Sequence, residues 1–123
     1  MILDASVLIG LLDRADAHHR RAVEDVEAAD EASVDLIAPA SAYSEALVAF
    51  ARVGRIRDAR EAIAGMGIRV APLDAPTAER AAELRAHHGR LRLPDAIVLA
   101  AARELGGDLL SYYERLAHHA DGD

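Results

Sequence analysis

The chain has 123 residues, a net charge of −7 and no cysteine. Its length suits one domain spanning 1–123, able to bury roughly two thirds of its unfolded surface, and the lack of cysteine excludes a disulfide framework, a thiolate zinc site and a cysteine nucleophile. The negative charge repels polyanions at long range and argues against a general nucleic-acid binder; with an apolar start too short for a secretory signal and no run of membrane-spanning length, a soluble cytoplasmic protein is expected.

In chain order, strands are expected at about 1–4, 34–38, 68–72 and 108–111, with helices at about 6–12, 17–31, 41–53, 56–65, 76–88, 94–105 and 113–119. Gly54, Gly65, Gly67, Gly89 and the Gly106-Gly107 pair punctuate these elements, and Pro39, Pro72 and Pro94 stand at their edges. There is no repeat, linker or low-complexity segment. Strands alternating with helices favour an α/β fold whose mostly parallel sheet is covered on both faces.

Three acids draw attention in that frame. Asp4 ends the apolar start Met1-Ile2-Leu3 at a strand-to-helix junction, Glu45 lies in the first turns after the second strand, and Asp95 follows Pro94 at the start of the apolar helix Ala96–Ala102. A parallel sheet places the carboxyl ends of its strands on one side, where ligands bind, so the three acids are expected along one rim. Each also has an ordinary explanation: Asp4 as an N-cap, Glu45 and Asp95 as acids favoured by a helix dipole, Ser6 and Ser111 as partners of local backbone.

Brought together, the acids suit a divalent metal and a phosphodiester. Two carboxylates ~4 Å apart repel by about 4 kcal/mol at an effective dielectric near 20, so such a cluster needs a cation or shared protons. Hard cations such as Mg²⁺ take oxygen ligands and often bind through only one or two carboxylates with water and substrate phosphate. All 14 basic residues are arginine, among them Arg52, Arg55, Arg57 and Arg60 in one stretch and Arg90 and Arg92 just before Asp95. Arginine's planar fork suits phosphate, although solvated helix faces account for such residues equally simply. The pairs His18-His19, His87-His88 and His118-His119 are poor chelators, because adjacent helical residues face different ways. Tyr43, Leu47 and Phe50 share a helix face and read as core or dimer contacts. A haloacid-dehalogenase-type phosphatase would need a second aspartate two residues after Asp4, where Ser6 stands.

The opening Met1-Ile2-Leu3-Asp4-Ala5-Ser6-Val7-Leu8-Ile9, the Ser44-Glu45-Ala46-Leu47 segment and the run Leu91-Arg92-Leu93-Pro94-Asp95-Ala96-Ile97-Val98 together resemble the PIN-domain ribonucleases, specifically the VapC toxins of bacterial toxin–antitoxin pairs. The resemblance covers nearly the whole chain in the family's order. It implies a PIN-like three-layer α/β/α sandwich with a mostly parallel four- to five-stranded sheet. It also implies a Mg²⁺- or Mn²⁺-dependent endoribonuclease, usually a homodimer, neutralised by a small VapB-type antitoxin whose tail lies across the site. The family's acidic positions carry over onto Asp4, Glu45 and Asp95, and its Ser or Thr at the end of the last strand onto Ser111. With them, Ser6 would orient ligands or phosphate, and Arg90 and Arg92 would hold the RNA backbone.

The chain departs from the family at position 113, where Tyr113 stands in place of a fourth acid. Glu114, one residue on, would point about 100° away on a helix but could reach the site through a water. Two readings compete with the toxin nuclease: a protein-binding module that kept the fold and lost cleavage, and a PIN nuclease of RNA maturation outside any toxin pair.

Overall fold

The computed structural model describes residues 1–116. Ten elements alternate as the sequence predicts: β1 (Ile2–Leu3), α1 (Ala5–Leu12), α2 (His19–Glu31), β2 (Leu36–Pro39), α3 (Ala40–Arg52), α4 (Ile56–Gly65), β3 (Ile68–Ala71), α5 (Ala75–His87), α6 (Leu93–Leu105) and β4 (Leu109–Leu110). Residues 114–116 open a further helix, and the remainder of the one expected to 119, with His118-His119, lies outside the described residues. The four strands form one all-parallel sheet in the order β3-β2-β1-β4, with Ile2 opposite both Ile37 and Leu109 and Leu36 opposite Ile68. No helix among the described residues is long and apolar enough to cross a membrane.

Parallel neighbours require crossover connections, and the crossing helices cover both faces of the sheet. The period of two along a strand assigns the faces. Leu3, Leu36 and Ala38 pack beneath Val7, Leu8, Val26 and Ile63 of α1, α2 and α4. Ile2, Ile37 and Ala71 turn the other way, onto Ala102 of α6. Outside α6, Leu84 and Ala81 of α5 close over Leu99 and Ala100. The result is an α/β/α sandwich.

Several boundaries shift for local reasons. The second strand starts at Leu36 rather than 34, because Ser33, with a φ of 58°, turns the chain after α2 and leaves Val34 exposed. The second helix starts at His19, since the carboxylates of Asp13 and Asp16 accept from the amides of Ala15 and His18 and hold a turn there. Pro39 ends β2 opposite Ala71, and α3 follows at once, so no loop separates the strand from the rim residues of α3. After α6, Gly106 takes the left-handed cap conformation, and Gly107 passes so close to β1 that a Cβ there would lie 3.2 Å from Ile2 Cγ1.

Leu8 is fully buried between α1 and the sheet, so Leu8→Ala should lower the unfolding free energy by about 2–5 kcal/mol. Val53, which is 68% exposed, should tolerate alanine within about 0.5 kcal/mol. Urea unfolding of both variants checks the assignment, and equal losses would contradict it.

Candidate functional site

Asp4 stands at the carboxyl end of β1, with an extended backbone, and is 1% exposed. Its amide donates to Leu110 O (3.3 Å), continuing the ladder to β4. Its carboxylate does three things at once. Oδ1 accepts from the Val7 amide at 3.3 Å, capping α1, and from Ser6 Oγ at 2.5 Å, while Oδ2 accepts from the Ser111 hydroxyl. Ser6 Oγ in turn accepts from the Tyr112 amide at 2.8 Å, and Ser111 Oγ from the Tyr113 amide at 3.1 Å. The N-cap reading and the rim placement are thus both true of one residue. Burial pushes the Asp4 carboxyl above the usual range, opposed by the hydrogen bonds from Ser111, Ser6 and Val7.

Asp95, in the first turn of α6, is 5% exposed. It does not face an empty cleft. Arg115 Nε donates to Oδ2 at 2.7 Å and Nη2 reaches Oδ1 at 3.4 Å, while Arg92 Nε lies 3.5 Å from Oδ2. The Arg115 guanidinium also stacks on Tyr113, its Cζ 3.8 Å from the ring centre. Glu45, in the second turn of α3, is exposed, and its Oε2 accepts from Tyr113 Oη at 3.3 Å. Burial, with the charges of Glu45 and Asp4, pushes the Tyr113 phenol up, so it stays protonated as the donor.

Asp4, Glu45, Asp95, Ser41 and Tyr113 line one cleft at the carboxyl rim. Glu114 is exposed and does not line it; Arg90 is exposed in the turn before α6. Arg55 of the arginine stretch pairs with Asp58 at 2.9 Å. His18 and His19 make separate contacts, His18 against the Tyr112 ring (centroids 5.0 Å apart) and His19 Nδ1 against Gly10 O (2.7 Å).

The cleft and its surroundings hold residues the sequence did not single out. Ser41 Oγ is buried and has no hydrogen-bond partner; its place four residues before Glu45, on the same helix face, was a usable signal. Tyr112 Oη donates to Asp25 of α2 at 2.7 Å beneath Arg21, whose Cζ lies 4.5 Å from the ring centre. Neither this pair nor Arg115 with Asp95 has a local sequence signal, since the partners are 87 and 20 residues apart.

Oxygen donors only, two of them buried carboxylates, fit a hard divalent cation, and the unpartnered Ser41 hydroxyl fits a water held in the same cleft. Among the described residues, no group of three or more acidic or histidine side chains is assembled to hold a metal alone. That suits the mode in which one or two carboxylates bind, with water and substrate completing the set.

The raised Asp4 carboxyl has a stability consequence. The native state holds the Asp4 proton more tightly than the unfolded chain, so its contribution is full below the ordinary value of 3.8 and is lost as pH rises through the native value. Asp4→Asn removes that loss. In EDTA, the melting temperature of the variant minus that of the parent should therefore rise between pH 3 and pH 7; a flat or falling difference contradicts the burial effect.

Comparison with known proteins identifies the family and the fold. The model of the PIN domain matches residues 1–122. In solved structures, VapC20 of Mycobacterium tuberculosis, a sarcin-ricin loop cleaving toxin, matches with a TM-score of 0.74 at 20% identity, covering 96% of this chain and 93% of that one. A chain of a toxin-antitoxin complex from Klebsiella pneumoniae matches with a TM-score of 0.73 at 24% identity, covering 91% of this chain and 85% of that one. No curated protein matches the sequence significantly. At such identities the structural likeness speaks for the fold, and the family model, spanning nearly every residue, carries the assignment: this chain belongs to the PIN domain family.

Proposed function

We propose that the protein is a VapC-type toxin, a single-domain, Mg²⁺- or Mn²⁺-dependent endoribonuclease that cleaves RNA phosphodiester bonds in the cytoplasm. The observation that carries this reading is the meeting of Asp4, Glu45 and Asp95, from three separate segments of a PIN fold, on one cleft. Asp4 and Asp95 would hold the metal, with Glu45 completing the set directly or through water. When bound, the metal supplies an activated water and shields the phosphate that would otherwise repel it. Ser6 and Ser111 fix the Asp4 carboxylate in one orientation. Arg92, half exposed beside Asp95, and the exposed Arg90 two residues earlier would hold the RNA backbone.

An antitoxin partner is supported by the chain's likeness to a chain of a toxin-antitoxin complex. An apolar groove between α1 and α3, lined by Ile9, Leu12, Phe50 and Val53, opens beside Glu45 and would accept an antitoxin's apolar segment next to the cleft. A homodimer is the expected assembly. One observation favours a second reading, a PIN module that binds protein without cleaving: Tyr113, where the resemblance implies a fourth acid, spends its hydroxyl on Glu45.

A cleavage assay on structured RNAs with Mg²⁺, Mn²⁺ or EDTA decides between them. The nuclease reading expects cleavage that EDTA stops and Asp95→Asn abolishes, with the variant's melting temperature held. Metal-independent cleavage, or full activity in a folded Asp95→Asn protein, contradicts it; a folded parent inert in both metals supports the binding module. Glu114→Gln tests whether the acid beyond Tyr113 serves in place of the fourth carboxylate. If it does, cleavage collapses in this variant.

Metal binding also predicts stabilisation. At a divalent concentration about tenfold above the dissociation constant, linkage adds roughly 1.4 kcal/mol. Thermal melts that coincide with and without Mg²⁺ and Mn²⁺ across the millimolar range would remove the cleft as a metal site of useful affinity.

A further inference from the structure

Arg115 borders the cleft, held by two of its lining residues, Asp95 and Tyr113, and the nuclease reading gives it no role. Its guanidinium is doubly engaged: Nε and Nη2 reach the two oxygens of Asp95 at 2.7 and 3.4 Å, and its face lies 3.8 Å over the Tyr113 ring. Tyr113 is itself tied to Glu45 by its hydroxyl. The cation therefore sits on a platform that spans two of the three acids. Its side chain is 42% exposed while that of Asp95 is 7% exposed, so the arginine closes over the aspartate from the solvent side.

A buried carboxylate cannot remain ionised without a partner at low cost, and Arg115 supplies that partner from within the chain. The same oxygens are those a divalent cation would need. The guanidinium contacts both oxygens from one side, so a divalent cation brought to the same small carboxylate meets a like charge within a few ångströms, and the two compete for Asp95. From this geometry we propose that Arg115 is a resident counter-ion of the cleft, which occupies Asp95 until a divalent metal displaces it and so sets the protein's metal affinity. The tyrosine at 113 is part of the device: where an acid would add a metal ligand, the ring holds the competing cation in place. The inference rests on the metal-site reading of Asp95 but does not need RNA cleavage.

The exchange has a measurable size. If Arg115 holds Asp95 in about nine molecules of ten, the apparent metal affinity is reduced about tenfold, and removing the arginine restores it. Mn²⁺ binding, followed by the free-ion electron paramagnetic resonance signal without RNA, is therefore expected to be about tenfold tighter in Arg115→Ala than in the parent. Arg115→Lys, which keeps the charge but loses the planar fork and the stack, should fall between. Arg85→Ala, which removes an equal charge from the exposed face of α5, should change little. In an Asp95→Asn background the effect of Arg115→Ala should disappear, since there is no carboxylate to compete for.

Equal Mn²⁺ affinity in the parent and Arg115→Ala overturns the proposal, as does a gain of equal size in the Asp95→Asn background or in Arg85→Ala. Absence of Mn²⁺ binding in both parent and Arg115→Ala overturns it together with the metal site. The nuclease reading fails separately: tighter Mn²⁺ binding in Arg115→Ala, with no RNA cleaved by the parent, upholds the counter-ion and removes the enzyme. Metal-dependent cleavage with unchanged Mn²⁺ affinity does the reverse.

Discussion

The Asp4 carboxylate receives hydrogen bonds from the start of α1, from the Ser6 side chain and from Ser111 at the far end of the chain, and the rim of the sheet is assembled around it. β1 has only two residues and β4 only two, so backbone pairing alone gives their junction little rigidity. The carboxylate makes up the difference. Through Ser6 it holds the Tyr112 amide, and through Ser111 the Tyr113 amide, fixing the segment that carries both tyrosines and Arg115 toward the cleft. A charge buried this deeply is tolerated because donors from two ends of the chain meet at its two oxygens.

From that anchor, the electrostatics of the cleft follow as a problem of neutralisation. Asp4 is satisfied by neutral hydroxyls, Glu45 by a phenol and by water at the exposed rim, and Asp95 by two arginines. Only Asp95 is answered by full positive charge, although it is buried nearly as deeply as Asp4. The difference lies in reach. Asp4 sits at the end of an interior strand, enclosed by α1 and the turn after β4, whereas Asp95 opens a helix whose first turn borders solvent, where long side chains from both flanks arrive.

How much of this was legible in the sequence depends on the range of the interaction. Asp4 and Asp95 were findable because strand-to-helix junctions have local signatures, an apolar run broken by an acid and a proline in the first helical turn, and because parallel topology puts such junctions on one rim. Glu45 was findable by the same rule, and Ser41 could have been, one helical turn earlier on the same face. Arg115 was not. Nothing near it distinguishes it from the chain's other arginines, and its partner is 20 residues away across the cleft. Tyr112 and Asp25, 87 residues apart, escape for the same reason. The boundary shifts at 13–19 and 33–36 came from side-chain and left-handed turns that compete with helix and strand patterns near their ends.

An acidic chain that is to bind RNA must gather positive charge where the substrate lies, because its net charge of −7 opposes approach at long range. Several arginines are spent internally: Arg55 on Asp58, Arg80 on Glu104 and Arg21 beside Asp25. At the cleft, Arg92 and Arg115 both lean on Asp95, with side chains 57% and 42% exposed. A divalent cation taken up by the acids changes this balance twice over. Bound there, it would add two positive charges to the cleft and, under the proposed exchange, would release Arg115 from Asp95 at its mouth. Under the proposed activity, metal binding and substrate binding are thereby coupled through one carboxylate, and the cleft turns attractive to a phosphate only once the metal is in place.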